Sequence, residues 1–197
     1  TNQYVNYELY GRCLDVSGQT WANNLIAYPC KQSPNVSDLA WNELWYFQSE
    51  TTVNGITYGI FYDNCTANCV GTAPEKDCLV SPTTENTQVT GAKCPTSGTI
   101  PNNELWEATG DIAGDYPDSY LLVNKGSNMC MAADPSQLNP SSHVTEIVVT
   151  NCNGQDVPSA ANAVKNSLLL KWNAPPNSPT PGLSDIQQVT GSSGAAG

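Results

Sequence analysis

The sequence predicts an all-β protein, a closed barrel with threefold pseudo-symmetry and disulfides inside each repeat. Three observations carry this. The word Asn42-Glu43-Leu44-Trp45 recurs as Asn103-Glu104-Leu105-Trp106. Each copy follows a cysteine pair of similar span, Cys13 to Cys30 at 17 positions and Cys78 to Cys94 at 16. Apolar runs are short and lie between turn residues, and no segment of 12 or more residues holds a convincing helical stripe.

The repeat is the strongest signal, because a recurring order of residues implies a recurring structural unit. Each first cysteine is followed by an apolar residue, as Cys13-Leu14 and Cys78-Leu79. A looser third copy runs from Cys130-Met131 to Cys152, 22 positions on, and then to Leu170-Lys171-Trp172. The natural pairing is Cys13–Cys30, Cys78–Cys94 and Cys130–Cys152, which leaves Cys65 and Cys69 for each other. A loop of about 17 residues closed this way contributes about 3 kcal/mol in the chain-entropy model.

Strands are expected at Gly55–Tyr62, Tyr120–Val123 and Thr145–Thr150. Each repeat then supplies one hairpin to the barrel and one to its cap. Trp45, Trp106 and Trp172 are expected to meet in a shared core, and closure removes the exposed sheet edges. The expected domain is 1–173, with repeats at about 5–50, 70–110 and 118–173 and a long insertion at 51–69. Ser159 to Lys165 reads as a loop with one turn, and 174–197, rich in Pro, Ser and Gly, reads as a linker or tail.

Composition sets the compartment and excludes several partners. Seven Lys and Arg against 18 Asp and Glu give a net charge of −11, which argues against nucleic acid and against anionic membrane surfaces. The longest apolar runs, such as Ile147-Val148-Val149, are too short for membrane insertion. Eight cysteines in an acidic, Lys-poor chain favour disulfides and secretion. Zinc is the competing reading, but it wants close ligand pairs and often histidine. The chain has one short pair, Cys65-x3-Cys69, and one histidine, His143, so no metal and no cofactor are expected. The first residue, Thr1, fits removal of a signal peptide. Asn35-Val-Ser37 and Asn64-Cys-Thr66 are glycosylation sequons that matter only in a eukaryotic source.

Gly11-Arg-Cys-Leu-Asp-Val16, Tyr28-Pro-Cys30 and Asn42-Glu-Leu-Trp45 together resemble a repeat of the ricin-B-type β-trefoil lectins. The resemblance covers about 1–173 and is strongest in the first repeat. Glu43 and Glu104 depart from the family, which usually has Gln there, and Lys171 precedes the last Trp. The resemblance implies a β-trefoil with up to one sugar site per repeat. In the first repeat Asp15 matches the acid that accepts two sugar hydroxyls, Tyr28 the stacking ring and Asn42 the assisting amide. Ile26 stands where the family often has a further polar contact. The second repeat has Val80 and Ala92 in place of acid and ring, although Asn103 remains; the third has Ala132 and Thr150. One competent site is therefore expected, in the first repeat, with Trp21 and Trp41 widening its platform and Glu43 reaching a hydroxyl.

Each residue also has a purely structural reading. Asp15 could brace the turn Val16-Ser17-Gly18, Tyr28 could be a half-buried strand aromatic, and Asn42 could fix a hairpin. Glu43 could pair with a cation, and Trp21 and Trp41 could be ordinary tryptophans. No nucleophile motif, phosphate loop or metal helix appears, and no repeat offers paired carboxylates, so no enzyme is expected. The expected function is a secreted carbohydrate-binding module, with a galactose-type glycan as partner, targeting an attached effector or assembly. The alternative is a trefoil interaction scaffold, such as a toxin-particle subunit with vestigial sugar sites. Protease inhibition is a weaker third option.

Overall fold

A computed structural model of the chain describes residues 3–6, 12–31, 36–110, 119–133, 144–152 and 171–173. The sequons' Asn35, His143, the 159–165 segment and the 174–197 tail lie outside these residues. Thirteen strands are found among the described residues. The first repeat contributes β1 (Val5–Asn6), β2 (Arg12–Val16), β3 (Leu25–Pro29) and β4 (Tyr46–Val53). The second contributes β5 (Ile56–Cys65), β6 (Glu75–Val80), β7 (Thr87–Gln88), β8 (Thr90–Lys93) and β9 (Trp106–Gly110). The third contributes β10 (Ser119–Asn124), β11 (Cys130–Ala133), β12 (Thr145–Thr150) and β13 (Lys171–Asn173).

The pairings fall into two sets. A barrel ladder runs β4–β5–β9–β10–β13–β1, every pair antiparallel. Three hairpins, β2–β3, β6–β8 and β11–β12, form the cap. Their registers repeat: Cys13 faces Tyr28, Cys78 faces Ala92 and Cys130 faces Thr150. All four expected disulfides are present, three of them each inside one repeat's cap hairpin region.

The three tryptophans are fully buried and share one core with Leu14, Leu79, Met131, Phe61 and Leu122. Each indole N–H donates to the carbonyl of the residue after its repeat's first cysteine. Trp45 reaches Leu14 O at 2.9 Å, Trp106 reaches Leu79 O at 3.0 Å and Trp172 reaches Met131 O at 3.1 Å. The recurring cysteine-apolar and tryptophan signals therefore mark two ends of one clasp. A buried indole needs an acceptor, and the strand carbonyl supplies it.

The segment 51–69, expected as an insertion, is mostly barrel. Residues 46–65 form the β4–β5 hairpin, so the second repeat starts at Ile56 rather than near 70. The turn explains it: Asn54 and Gly55 take φ of 53° and 83°, the left-handed pair of a tight two-residue hairpin. Gly59 lets β4 approach, since a Cβ there would lie 2.3 Å from Gln48 O.

Candidate functional site

Strand alternation decides which first-repeat residues share a face. Leu14, Val16, Leu25 and Ala27 point into the core. Cys13, Asp15, Ile26 and Tyr28 therefore share the opposite face of the β2–β3 hairpin. Asp15 faces Ile26 and Cys13 faces Tyr28, which makes Asp15 and Tyr28 diagonal neighbours. The 3-10 turn Trp41–Glu43 brings in Asn42, whose Nδ2 donates to Asp15 Oδ2 at 3.0 Å and approaches Val16 O at 3.4 Å. The acid, ring and amide named from the sequence thus lie on one lobe.

Their exposure differs sharply. Tyr28 is 40% exposed, whereas Asp15 and Asn42 are only 3% and 2% exposed. Glu43 is fully buried in a polar knot. Its Oε2 accepts from Gln3 Nε2 at 3.0 Å and Lys31 N at 3.1 Å, and its Oε1 lies 3.1 Å from Lys31 Nζ. The ionic reading of Glu43 is the one realised. The buried Oδ1 of Asn42 has no hydrogen-bond partner among the described residues.

Burial, reinforced by a hydrogen bond to Glu43 and by its charge, pushes the Asp15 carboxyl up to about 8. Asn42 and Lys31 only partly offset this. At neutral pH Asp15 is therefore a carboxylic acid and not the ionised acceptor that the family comparison implies. It can donate one hydrogen bond as well as accept.

Trp41 does not join this group. It is 9% exposed and lines a separate hollow of about 410 Å³ with Leu39, Leu44, Tyr46 and Asn64, which none of Asp15, Tyr28 and Asn42 lines. Adjacent residues of one tight turn point apart, so Asn42 and Trp41 serve different neighbours. Trp21 is also committed elsewhere: its Nε1 donates to Asp63 Oδ2 at 2.9 Å and its ring meets Trp45 edge-on at 6.0 Å.

A pair of carboxylates that the sequence reading did not find sits inside the second repeat. Asp63 and Asp77 face each other across β5 and β6, both fully buried. Burial first, then the charge of Asp77, pushes Asp63 up to about 8. Asp77 rises to about 6 through burial, although the Val70 N–H at 3.0 Å lowers it. Alternation along Tyr58–Cys65 carries the signal, since Phe61 and Asp63 share the inward face. Without exposure the pair offers nothing to a glycoside. Cys65 and Cys69 lie with Asp77 within 4.8 Å, but their sulfurs are bonded to each other, leaving one carboxylate for any cation.

In the other repeats the same register leaves Val80 and Ala92, and Ala132 and Thr150, where Asp15 and Tyr28 stand. Asn103 holds the place of Asn42 in an equivalent 3-10 turn, Asn102–Glu104.

No family model matches the chain, and no curated protein sequence matches it. Solved structures do. ThreeFoil, a designed threefold-symmetric protein, aligns with 87% of this chain and 94% of its own at 16% identity and a TM-score of 0.53. The cytolethal distending toxin of Haemophilus ducreyi gives 15% identity and 0.53 over 89% of this chain and 83% of its own. That of Actinobacillus actinomycetemcomitans gives 15% and 0.53 over 92% and 94%. The chain is a β-trefoil. The trefoil explains the registers above: three lobes share one body, and each lobe presents its own outer hairpin face. At these identities the likeness is one of fold.

Proposed function

We propose that this trefoil is a carbohydrate-binding module of a secreted protein, related to the ricin-B-type lectins and binding rather than catalytic, with its sugar position in the first repeat. The observation that carries the reading is the assembly in that lobe alone of acid, ring and amide, with Asn42 Oδ1 lacking any donor among the described residues. Tyr28 supplies an exposed face for stacking, while the Asp15 carboxyl and Asn42 Oδ1 lie buried on the same lobe and meet sugar hydroxyls only when the lobe yields to the ligand. Four disulfides fit an oxidising compartment. Among the described residues no helix is long and apolar enough to cross a membrane.

A single site of this size binds weakly. A Kd near 1 mM corresponds to about −4 kcal/mol, so use of the site requires linkage to other copies or to an effector. The glycan is a neutral, galactose-type sugar on this reading. The test is retention on immobilised galactose and on a glycan array. Tyr28→Ala changes an exposed ring and leaves the fold intact, so it is expected to cut retention by about tenfold. Tyr28→Ala with Asp15→Ala is expected to abolish it. Unchanged retention by the double variant overturns the first-repeat site.

A second reading draws on the burial of Asp15, Asn42 and Glu43. Their mutual hydrogen bonds would brace the lobe of an interaction scaffold, a subunit of a secreted complex. No glycan retention by the native chain, together with a partner that co-purifies, favours this reading.

A further inference from the structure

We propose that the hollow floored by Trp21, where the first and second repeats meet, is a second binding site for a neutral saccharide. The cap hairpins join through strand pairings of β12 with β3 and of β12 with β7. Among the described residues β3 and β8 are not paired with each other. The Trp21 ring fills that junction. It lies so close to Gly91 that a Cβ there would come within 2.4 Å of Trp21 Cε3. The bond from its N–H to Asp63 fixes the ring's orientation.

Beside the ring opens a hollow of about 330 Å³. Its walls include Asn23, Asn24, Gln88 and Thr90, with Cys69 from the end of the Cys65–Cys69 loop and the exposed Val70 that follows it. Among the described residues no charged side chain lines it, although the chain carries a net charge of −11. An anion finds no cation among these lining residues, and the Glu146 carboxylate is already engaged by Asn24 Nδ2 at 2.7 Å. Amide oxygens and a hydroxyl match a ligand rich in hydroxyl groups, with the Asn23 and Asn24 Nδ2 groups held by Ser17 O and Glu146, and the exposed Val70 beside the largely buried Trp21 ring (9% exposed) offers an apolar patch to a pyranose. The volume lies at the lower end of the range for small-molecule sites, which suits one or two sugar rings.

The decisive detail is Gln88. Its backbone is fixed by the pairing of β7 with β12, yet among the described residues its buried Nε2 finds no acceptor. A buried donor left unmade is costly, and because Gln88 lines the hollow a ligand oxygen there can satisfy it. The choice of a sugar over other neutral polar ligands rests on the carbohydrate-binding reading above; the hollow and its unmade donor do not.

The test uses the whole chain and methyl glycosides of galactose, glucose, mannose and N-acetylglucosamine as probes, followed by amide NMR. At least one probe is expected to shift the side-chain amides of Asn23, Asn24 and Gln88 with millimolar midpoints. Gln88→Leu removes the unmade donor, so it is expected to weaken this binding by about tenfold or more with an unchanged or raised Tm. Tyr28→Ala is expected to leave the hollow's shifts in place. No shift at these amides up to about 50 mM probe, or undiminished binding by Gln88→Leu, overturns the proposal. Shifts confined to the Tyr28 lobe overturn it while sparing the first-repeat site. Shifts at the hollow, with array retention indifferent to Asp15 and Tyr28, uphold it and remove the first-repeat site.

Discussion

Raising the pH should weaken this protein, and Asp63 is the residue on which that expectation can be isolated. In an unfolded chain this carboxyl titrates near 3.8, and in the folded one at about 8. Between those values the folded state holds more protons than the unfolded state, so stability falls as pH rises through the window. Each tenfold difference in proton affinity is worth about 1.4 kcal/mol, so ionising an unrelaxed site sets a ceiling of about 6 kcal/mol. That rivals the whole stability of a domain, about 5–15 kcal/mol, so relaxation around the carboxylate must absorb a large share. A net loss of about 2–3 kcal/mol is expected between about pH 5 and pH 8. For a chain of this length it lowers Tm by about 5–10 °C.

Asp77 adds to the trend, with its proton leaving near 6, and so does Asp15 near 8. Glu75 and Glu85 are held below the ordinary range: for Glu75 desolvation is the largest single influence and acts upward, but the Gly71 N–H and Lys93 together outweigh it, and Glu85 is lowered by the Asn151 N–H and Thr150. Their contribution is lost only as pH falls below about 4.5, outside the window. Asp63→Asn keeps an acceptor for the Trp21 N–H and removes the charge. The assay is urea unfolding at several pH values for both proteins. The variant should match the native chain near pH 5, exceed it by about 2 kcal/mol near pH 8 and show a shallower slope. A native stability that is flat or rising over this range, or a variant with the native slope, refutes the reasoning.

Three other outcomes follow from the packing. Gly91→Ala places a methyl inside the Trp21 ring's position and should cost about 1–3 kcal/mol, with Trp fluorescence shifted to the red as the indole is displaced. Trp106→Phe strands the Leu79 carbonyl and leaves a gap; thermal melts should show a loss of about 2–4 kcal/mol, and Trp45→Phe should cost a similar amount through Leu14. Replacing Cys78 and Cys94 by Ala opens a 16-residue separation and should cost about 3 kcal/mol by denaturant titration. The native chain, unreduced, should give no thiol signal from these pairs.

The repeat was legible because the same contacts are made three times. A cysteine, an apolar neighbour and a tryptophan recur in order since one clasp, indole to strand carbonyl, needs all of them. The barrel hairpin of 46–65 was less so: exposed Ser49, Glu50 and Thr52 on β4 look like loop composition, and the Asn54-Gly55 turn was the signal that counters it. Asp15, Tyr28 and Asn42 could be grouped because strand register fixes faces locally. Their burial could not, because Gln3 and Lys31 reach Glu43 from 40 and 12 residues away. The same holds for Trp41, whose direction depends on which side of a three-residue turn it occupies, and for Asp63, whose partner lies on another strand.

The pairing of Val5 with Asn173 joins the first described strand to the last. During synthesis the opening strand must therefore wait for nearly the whole body of the chain before it finds its neighbour, whereas the cysteine-linked lobes can mature from nearby residues as they emerge. Such long-range closure makes assembly slow. It leaves the newborn polypeptide for some time with an unfilled berth beside β1, where a chaperone or a stray strand docks.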